Sequence, residues 1–223
     1  MIDVENLSKS YQETKALNSI NLSIGDSQVV GVLGPNGAGK STLLEILTGQ
    51  INRDTGDVKV LDFDPNKDGI ELREEIGVLP EREDPPSFLT GSEFLDFVSE
   101  IRGKDINKDE WVERFNLEGK MDKYTYNLSK GERQKLMIIQ TFFHKPDLVF
   151  IDEPLINLDP LIQERVKDLI EERKKEGGTV FLCTHVVSLA EEVCDKVYFL
   201  REGEIIEEVQ ETQNLKEKFL ENN

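Results

Sequence analysis

The sequence predicts an α/β fold with a mixed, mainly parallel sheet, an N-terminal antiparallel β subdomain and a helical insertion subdomain. Three observations lead there. Residues 29–33, 148–151 and 179–183 are short, continuous apolar runs, as expected of strands covered on both faces. Residues 2–7 and 17–24 alternate apolar and polar side chains, the pattern of strands with one face against a core. Elsewhere the apolar residues recur at helical spacing.

In chain order, the alternating strands open the fold as an antiparallel pair, and the strand at 29–33 leads into a helix carrying Leu43, Leu44, Ile46 and Leu47. Helical periodicity returns at 92–101, 108–115 and 129–143, so residues 80–145 form a mostly helical insert in a single 1–223 domain. A β-α-β-α stretch then follows: strand 148–151, helix 161–175, strand 179–183 and helix 187–194. Residues 196–200 and 205–209 close as a hairpin across Arg201-Glu202-Gly203-Glu204. Residues 212–223 form a terminal amphipathic helix with Leu215, Phe219 and Leu220 on one side, packed on its own domain.

Composition narrows the function. A chain of 223 residues with 37% hydrophobic side chains can bury a large core. A formal charge of −18 argues against a nucleic-acid partner, whose grip needs a basic surface. No run approaches the roughly 20 apolar residues of a membrane helix, and the first residues lack a basic region followed by an apolar one, so a cytoplasmic location is expected. Cys183 and Cys194, eleven residues apart, lack metal-ligand spacing and read as reduced packing thiols.

The strongest chemical signal is Gly34-Pro35-Asn36-Gly37-Ala38-Gly39-Lys40-Ser41-Thr42, a G-x-x-x-x-G-K-S/T loop between a buried strand and a helix. Glycines let successive backbone N–H groups turn toward a polyphosphate, and the helix start adds its positive dipole end. In this pattern Lys40 reaches the β and γ phosphates, the Ser41 hydroxyl joins a Mg²⁺ shell and Thr42 lies near the α phosphate.

In open α/β sheets, ligands sit beyond the carboxyl ends of the strands, which directs attention to the residues that follow each one. Asp152 and Glu153 follow the run at 148–151; a buried acid there needs a cation or donors, which Mg²⁺ at Ser41 would supply, and Glu153 can orient or deprotonate a water. A strand end turning at Pro154 would carry the same residues. Ser129 and Glu132 form a capping-box pattern, while Gly131 would also allow a phosphate to approach the helix start. His185 follows the third buried strand and either donates to a γ-phosphate oxygen or simply caps the strand end.

These pieces occur in one order and at one set of separations: 89 residues from Lys40 to Ser129, 23 from Ser129 to Asp152 and 32 from Glu153 to His185. The chain resembles the nucleotide-binding domain of the ABC ATPases over residues 2–209. The resemblance implies a P-loop NTPase core in which residues 34–42 are the Walker A loop, 148–152 the Walker B strand and Glu153 the catalytic carboxylate. Leu128-Ser129-Lys130-Gly131-Glu132 matches the family signature, Asn157-Leu158-Asp159 the D-loop, and His185 the switch histidine. Tyr11 matches the aromatic that stacks on adenine, although a half-buried strand-end tyrosine would look the same.

Two positions depart from the family pattern. Lys130 and Glu132 stand where Gly and Gln are common, which leaves the Ser129 hydroxyl and the Gly131 backbone in place. Glu81 stands where the family has a metal-sensing Gln; a carboxylate there can still ligate Mg²⁺ but adds negative charge beside the triphosphate.

The resemblance further implies a head-to-tail dimer in which the Walker A loop of one chain and the Ser129 segment of the other enclose ATP. The leading expectation is an ATP-hydrolysing subunit of a membrane transporter, held at the inner face of the cell membrane by a separate transmembrane permease subunit. Phe88, Leu89 or Phe94 would then line the groove for that partner, or else make the core of the insert. The alternative is a soluble ABC ATPase of an assembly system, of the iron–sulfur cluster type. A nucleic-acid-processing ABC ATPase is disfavoured by the acidity and by the lack of a long coiled-coil insertion.

Overall fold

A computed structural model describes residues 1–82, 84–104, 107–153, 158–210, 212 and 215–221. Strands β1 (Ile2–Tyr11) and β2 (Thr14–Ile24) pair antiparallel, and β4 (Thr55–Val60) joins the other edge of β1 to give the order β2-β1-β4. The larger sheet has the order β5-β6-β7-β3-β8-β9, built from β3 (Val29–Leu33), β5 (Ile76–Leu79), β6 (Leu148–Asp152), β7 (Thr179–Thr184), β8 (Lys196–Arg201) and β9 (Glu204–Val209). All its pairings are parallel except β8 with β9.

The continuous apolar runs divide their residues between two cores because strand side chains alternate in direction. Val29, Leu33, Val180 and Leu182 face one side, under α5 (Lys130–Phe142) and α6 (Pro160–Lys175). Val30, Val32, Phe150 and Phe181 face the other, toward α1 (Lys40–Leu47) and the inner face of the small sheet, including Ile2 and Leu22. The Phe150 and Phe181 rings meet there at 5.4 Å. The chain thus covers both faces of β3, β6 and β7, as their unbroken hydrophobicity requires.

Within 80–145 lie α3 (Gly91–Arg102), α4 (Lys108–Arg114), a 3-10 turn at Thr125–Asn127 and α5. Thr90 caps α3 by accepting from Glu93 N–H, while Glu93 accepts from Thr90 N–H, so the Thr-x-x-Glu pattern acts as a capping box. Of the expected groove residues, Phe94 is buried in the core of the insert, whereas Phe88 is 74% exposed. The chain finishes with α7 (Val187–Val193) and α8 (Leu215–Glu221). Leu215 and Phe219 of α8 turn inward as expected; the side chain of Leu220 lies outside the described residues, as do Pro154 and Asn157.

Three elements lack a sequence signal strong enough to be expected. Strand β4 is a sheet edge with only Val58 and Val60 buried, and its Gly56 and Asp57 are poor strand formers. Helix α2 (Gly69–Glu75) is seven residues long and buries only Leu72, too little to show a period. Strand β5 has four residues, one of them Gly77, where a Cβ would come within 2.5 Å of the Thr141 carbonyl oxygen.

Candidate functional site

The site begins where β3 ends. Gly34 lies against β8, so that a Cβ there would sit 2.2 Å from the Leu200 carbonyl oxygen. Gly39, at φ +109°, enters α1 in the left-handed region beside the Ala16 carbonyl, where a Cβ would come within 2.5 Å. No side chain caps the start of α1 and no acid lies in its first turn, so its amides and positive end remain available to an anion.

Lys40 is buried and folds back over the loop. Its Nζ donates to the carbonyls of Gly34 at 2.9 Å and Pro35 at 3.2 Å and lies 3.7 Å from Glu153 Oε1. The loop therefore holds the ammonium beside the carboxyl end of β6.

Asp152, the last residue of β6, is 7% exposed, and its Oδ1 has no hydrogen-bond partner. Burial raises its carboxyl to a pKa of about 6; the Ser41 hydroxyl opposes this by hydrogen bonding, Glu153 and Glu81 add to it by charge, and Lys40 opposes it. An orphaned buried carboxylate oxygen beside a hydroxyl suits a hard cation. Among the described residues no cluster of three His, Cys, Asp or Glu side chains is placed to bind a metal alone. The donor set of Asp152 and Ser41 therefore fits a Mg²⁺ that takes its remaining oxygens from phosphate and water.

This environment sets a pH dependence for the metal-free protein. Folding raises the Asp152 pKa from 3.8 to about 6, so the native state holds more protons in that window and stability falls as pH rises through it. Above about pH 6 the ionised carboxylate imposes a constant penalty of about 3 kcal/mol at most. Asp152→Asn is expected to raise the nucleotide-free, metal-free Tm at pH 7.5 and to lose most of that gain near pH 4.5. Thermal unfolding at both pH values checks this; an equal gain at both would contradict it.

Glu153 has a strained backbone at φ +49° and is 8% exposed. Its carboxylate accepts from Thr184 Oγ1 at 3.1 Å and from His185 N–H at 3.4 Å, and His185 Nδ1 lies 2.8 Å from Oε1. With Glu153 ionised, the proton resides on Nδ1 and the Nε2 edge of the ring is left for a ligand. The end of the neighbouring strand β7 thus fixes the carboxylate on both oxygens.

Gly37, Gly39, Lys40, Ser41, Glu153 and His185 share a cleft of about 650 Å³, which Tyr11, Asn36, Thr42 and Glu81 also line; Gly34, Pro35, Ala38 and Asp152 do not line it, Asp152 reaching it through its hydrogen bond with Ser41. Tyr11 closes β1 with its ring 47% exposed and the Lys9 ammonium 5.5 Å from the ring centre. Lys15 and Glu202 line the same cleft and Thr184 holds Glu153, but none of the three has a spacing signal in the sequence. A separate cleft of about 540 Å³, lined by Trp111, His144 and Arg173 among others, holds none of the expected site residues.

Ser129, Gly131 and Asp159 are not among the residues lining the nucleotide cleft. Ser129 caps α5 by accepting from Glu132 N–H, and the Glu132 carboxylate accepts from Ser129 N–H at 2.7 Å. Those bonds, with Lys120 3.0 Å away, hold the Glu132 carboxyl at a pKa of about 2. Ser129 is exposed, and a Cβ on Gly131 would have nothing within 4 Å of it. Asp159 caps α6 by accepting from Ile162 N–H at 3.1 Å.

Strand, glycine loop and helix, with an acid at the tip of β6, a parallel strand separated from β3 by β7 alone, define a P-loop nucleotide-binding protein. Residues 17–156 match the ABC transporter family model, and the chain belongs to that family as an ATP-binding subunit, an ABC ATPase. It is 33% identical over 212 residues to the uncharacterized ABC transporter ATP-binding protein YdbJ of Bacillus subtilis, covering 94% of this chain and 69% of that one. It is 31% identical over 234 residues to the lipopolysaccharide export system ATP-binding protein LptB of Haemophilus influenzae, covering 99% and 97% of the two chains. A solved ATP-binding subunit of an ABC transporter superposes with a TM-score of 0.91 at 26% identity, covering 99% of this chain and 98% of that one. The cassette MJ0796 shares the fold at a TM-score of 0.84 and 24% identity, over 95% and 99% of the chains.

Proposed function

We propose that this chain hydrolyses ATP and couples ATP-driven dimer closure to substrate movement by a separate membrane subunit. The observation that carries the reading is the convergence of Lys40, Ser41, Glu153 and His185 on one cleft at the start of α1, with Asp152 hydrogen-bonded to Ser41 behind it. Residues 34–42 cradle the phosphates, Tyr11 offers an aromatic face to the base, and Glu153 orients and deprotonates the attacking water while His185 steadies it. Ser41 and Asp152, with Glu81 nearby, would hold Mg²⁺. When bound, that ion neutralises charge on the phosphate oxygens.

Ser129 and Gly131 do not line the cleft of their own chain, which supports their use on a second one. A head-to-tail dimer would bring the start of α5, on the 80–145 helical subdomain, against the γ phosphate of its partner's ATP, with Asp159 near the seam. The solved cassette MJ0796 is described as dimeric, in one case bound to ADP and Pi. No helix among the described residues is long and apolar enough to cross a membrane. The membrane path would come from a separate permease subunit, reached through the exposed Phe88 region.

Mixing two inactive variants tests the shared site. Lys40→Ala and Ser129→Arg should each lose turnover, yet an equimolar mixture should recover about a quarter of wild-type activity, because half the dimers then carry one intact site. No recovery on mixing would contradict an ATP site built from two chains. The permease itself is expected to co-purify with the tagged chain from detergent-solubilised membranes rather than from cytosol.

A further inference from the structure

The turn that joins β8 to β9 contributes a carboxylate to the nucleotide cleft. Arg201 pairs with Glu204 across that turn, and the residues between them, Glu202 and Gly203, have φ of +49° and +79°. A hairpin whose central residues both lie in the left-handed region favours Asn, Asp or Gly at the first of them. Neither the turn nor a local partner therefore calls for glutamate. Among the described residues Glu202 makes no hydrogen bond or ion pair, and it lines the cleft as an exposed side chain.

Backbone contacts fix where along the cleft this carboxylate stands. Gly203 N–H donates to the Ala38 carbonyl of the phosphate loop at 3.0 Å, and Asn18 N–H of β2 donates to the Gly203 carbonyl at 2.7 Å. A Cβ on Gly203 would come within 2.7 Å of the Ala16 carbonyl oxygen, the same atom that crowds Gly39. From Ala16 the chain runs back through Lys15 and Thr14, which also line the cleft, to Tyr11, the strand partner of Thr14. Glu202 thus stands beside Ala16, between the loop at residues 38–39 and the tyrosine. With phosphates at the loop and a base on the Tyr11 ring, the sugar that joins them passes this level. A carboxylate only accepts hydrogen bonds, so it repels phosphate oxygens and suits the hydroxyl donors of a ribose.

We propose that Glu202 recognises the ribose of the bound nucleotide, its carboxylate accepting from the 2′- and 3′-hydroxyls, and that this chain therefore prefers ribonucleotides to their deoxy counterparts. This rests on the reading of residues 34–42 as the phosphate cradle and of Tyr11 as the base platform. A hydrogen bond to an ionised acceptor is strong enough to show as about a tenfold preference.

Isothermal titration calorimetry with ATP and with 2′,3′-dideoxyATP tests this on the full chain, in the wild type, Glu202→Gly and Lys40→Ala. The wild type is expected to bind ATP about tenfold more tightly than the dideoxy compound. In Glu202→Gly the ATP affinity should fall to the level of dideoxyATP, whose own affinity stays within about twofold of wild type, so that the preference disappears. Glycine suits the left-handed turn, so the nucleotide-free Tm of this variant should equal or exceed that of the wild type. A wild type indifferent to the hydroxyls, a preference that survives in Glu202→Gly, or equal losses of both ligands in that variant would overturn the proposal. Should the glycine variant fail to fold, Glu202→Asn, which also fits the turn, is read by the same outcomes. Lys40→Ala separates the two levels: retained ATP binding there defeats the phosphate-cradle reading, whereas ATP binding that needs Lys40 but ignores the ribose hydroxyls defeats the role of Glu202 alone.

Discussion

Lys40→Ala is expected to abolish measurable ATP binding and turnover, the largest effect of any single substitution in this chain. The ammonium is buried, held by the Gly34 and Pro35 carbonyls and 3.7 Å from Glu153, so it balances a carboxylate before any nucleotide arrives. Removing it takes away the cation aimed at the phosphates and leaves Glu153, Asp152 and Glu81 to repel them. A missing preorganised charge contact of this kind costs roughly a hundredfold to a thousandfold, and the uncompensated carboxylates add to that. Titration with a fluorescent ATP analogue gives the result directly; affinity within tenfold of wild type would show that the phosphates are held elsewhere.

Glu153→Gln should separate binding from chemistry. The amide has the shape of the carboxylate and can still accept from Thr184 Oγ1 and His185 N–H through its oxygen, so the strand ends stay in place. It cannot take a proton. Turnover is expected to fall by about 10²–10⁴-fold, the scale of a lost general base, while ATP affinity is kept or improved because one negative charge leaves the cleft. Phosphate-release kinetics at saturating Mg-ATP measure the loss, and a wild-type rate would assign the water-activating role to another group.

Much of the fold was legible because buried parallel strands cannot disguise themselves. The runs at Val29–Leu33 and Thr179–Thr184 are hydrophobic on both faces, and the structure covers both. The same logic fails at sheet edges: β4 buries two side chains and β5 is four residues long with a glycine, so neither has a period to read. The start of α5 followed from the Ser129–Glu132 capping box, where local hydrogen bonding fixes it, and Thr90 with Glu93 does the same for α3. Within the site, Lys40, Asp152 and His185 were legible from their places after strands. Thr184 and Glu202 were not, because their proximity to the cleft comes from strand order and from a hairpin folding back on β2, which no local pattern encodes. Ser129 shows the complementary case: its helix cap is visible in one chain, whereas the catalytic role proposed for it would need two.

The most direct test is sedimentation velocity on Glu153→Gln with and without Mg-ATP. The account predicts one chain without nucleotide, two chains with Mg-ATP, and reversion to one chain when Ser129→Arg is added to the same background. If Glu153→Gln binds Mg-ATP yet sediments as a single chain throughout, ATP is not enclosed between two subunits and the account is wrong.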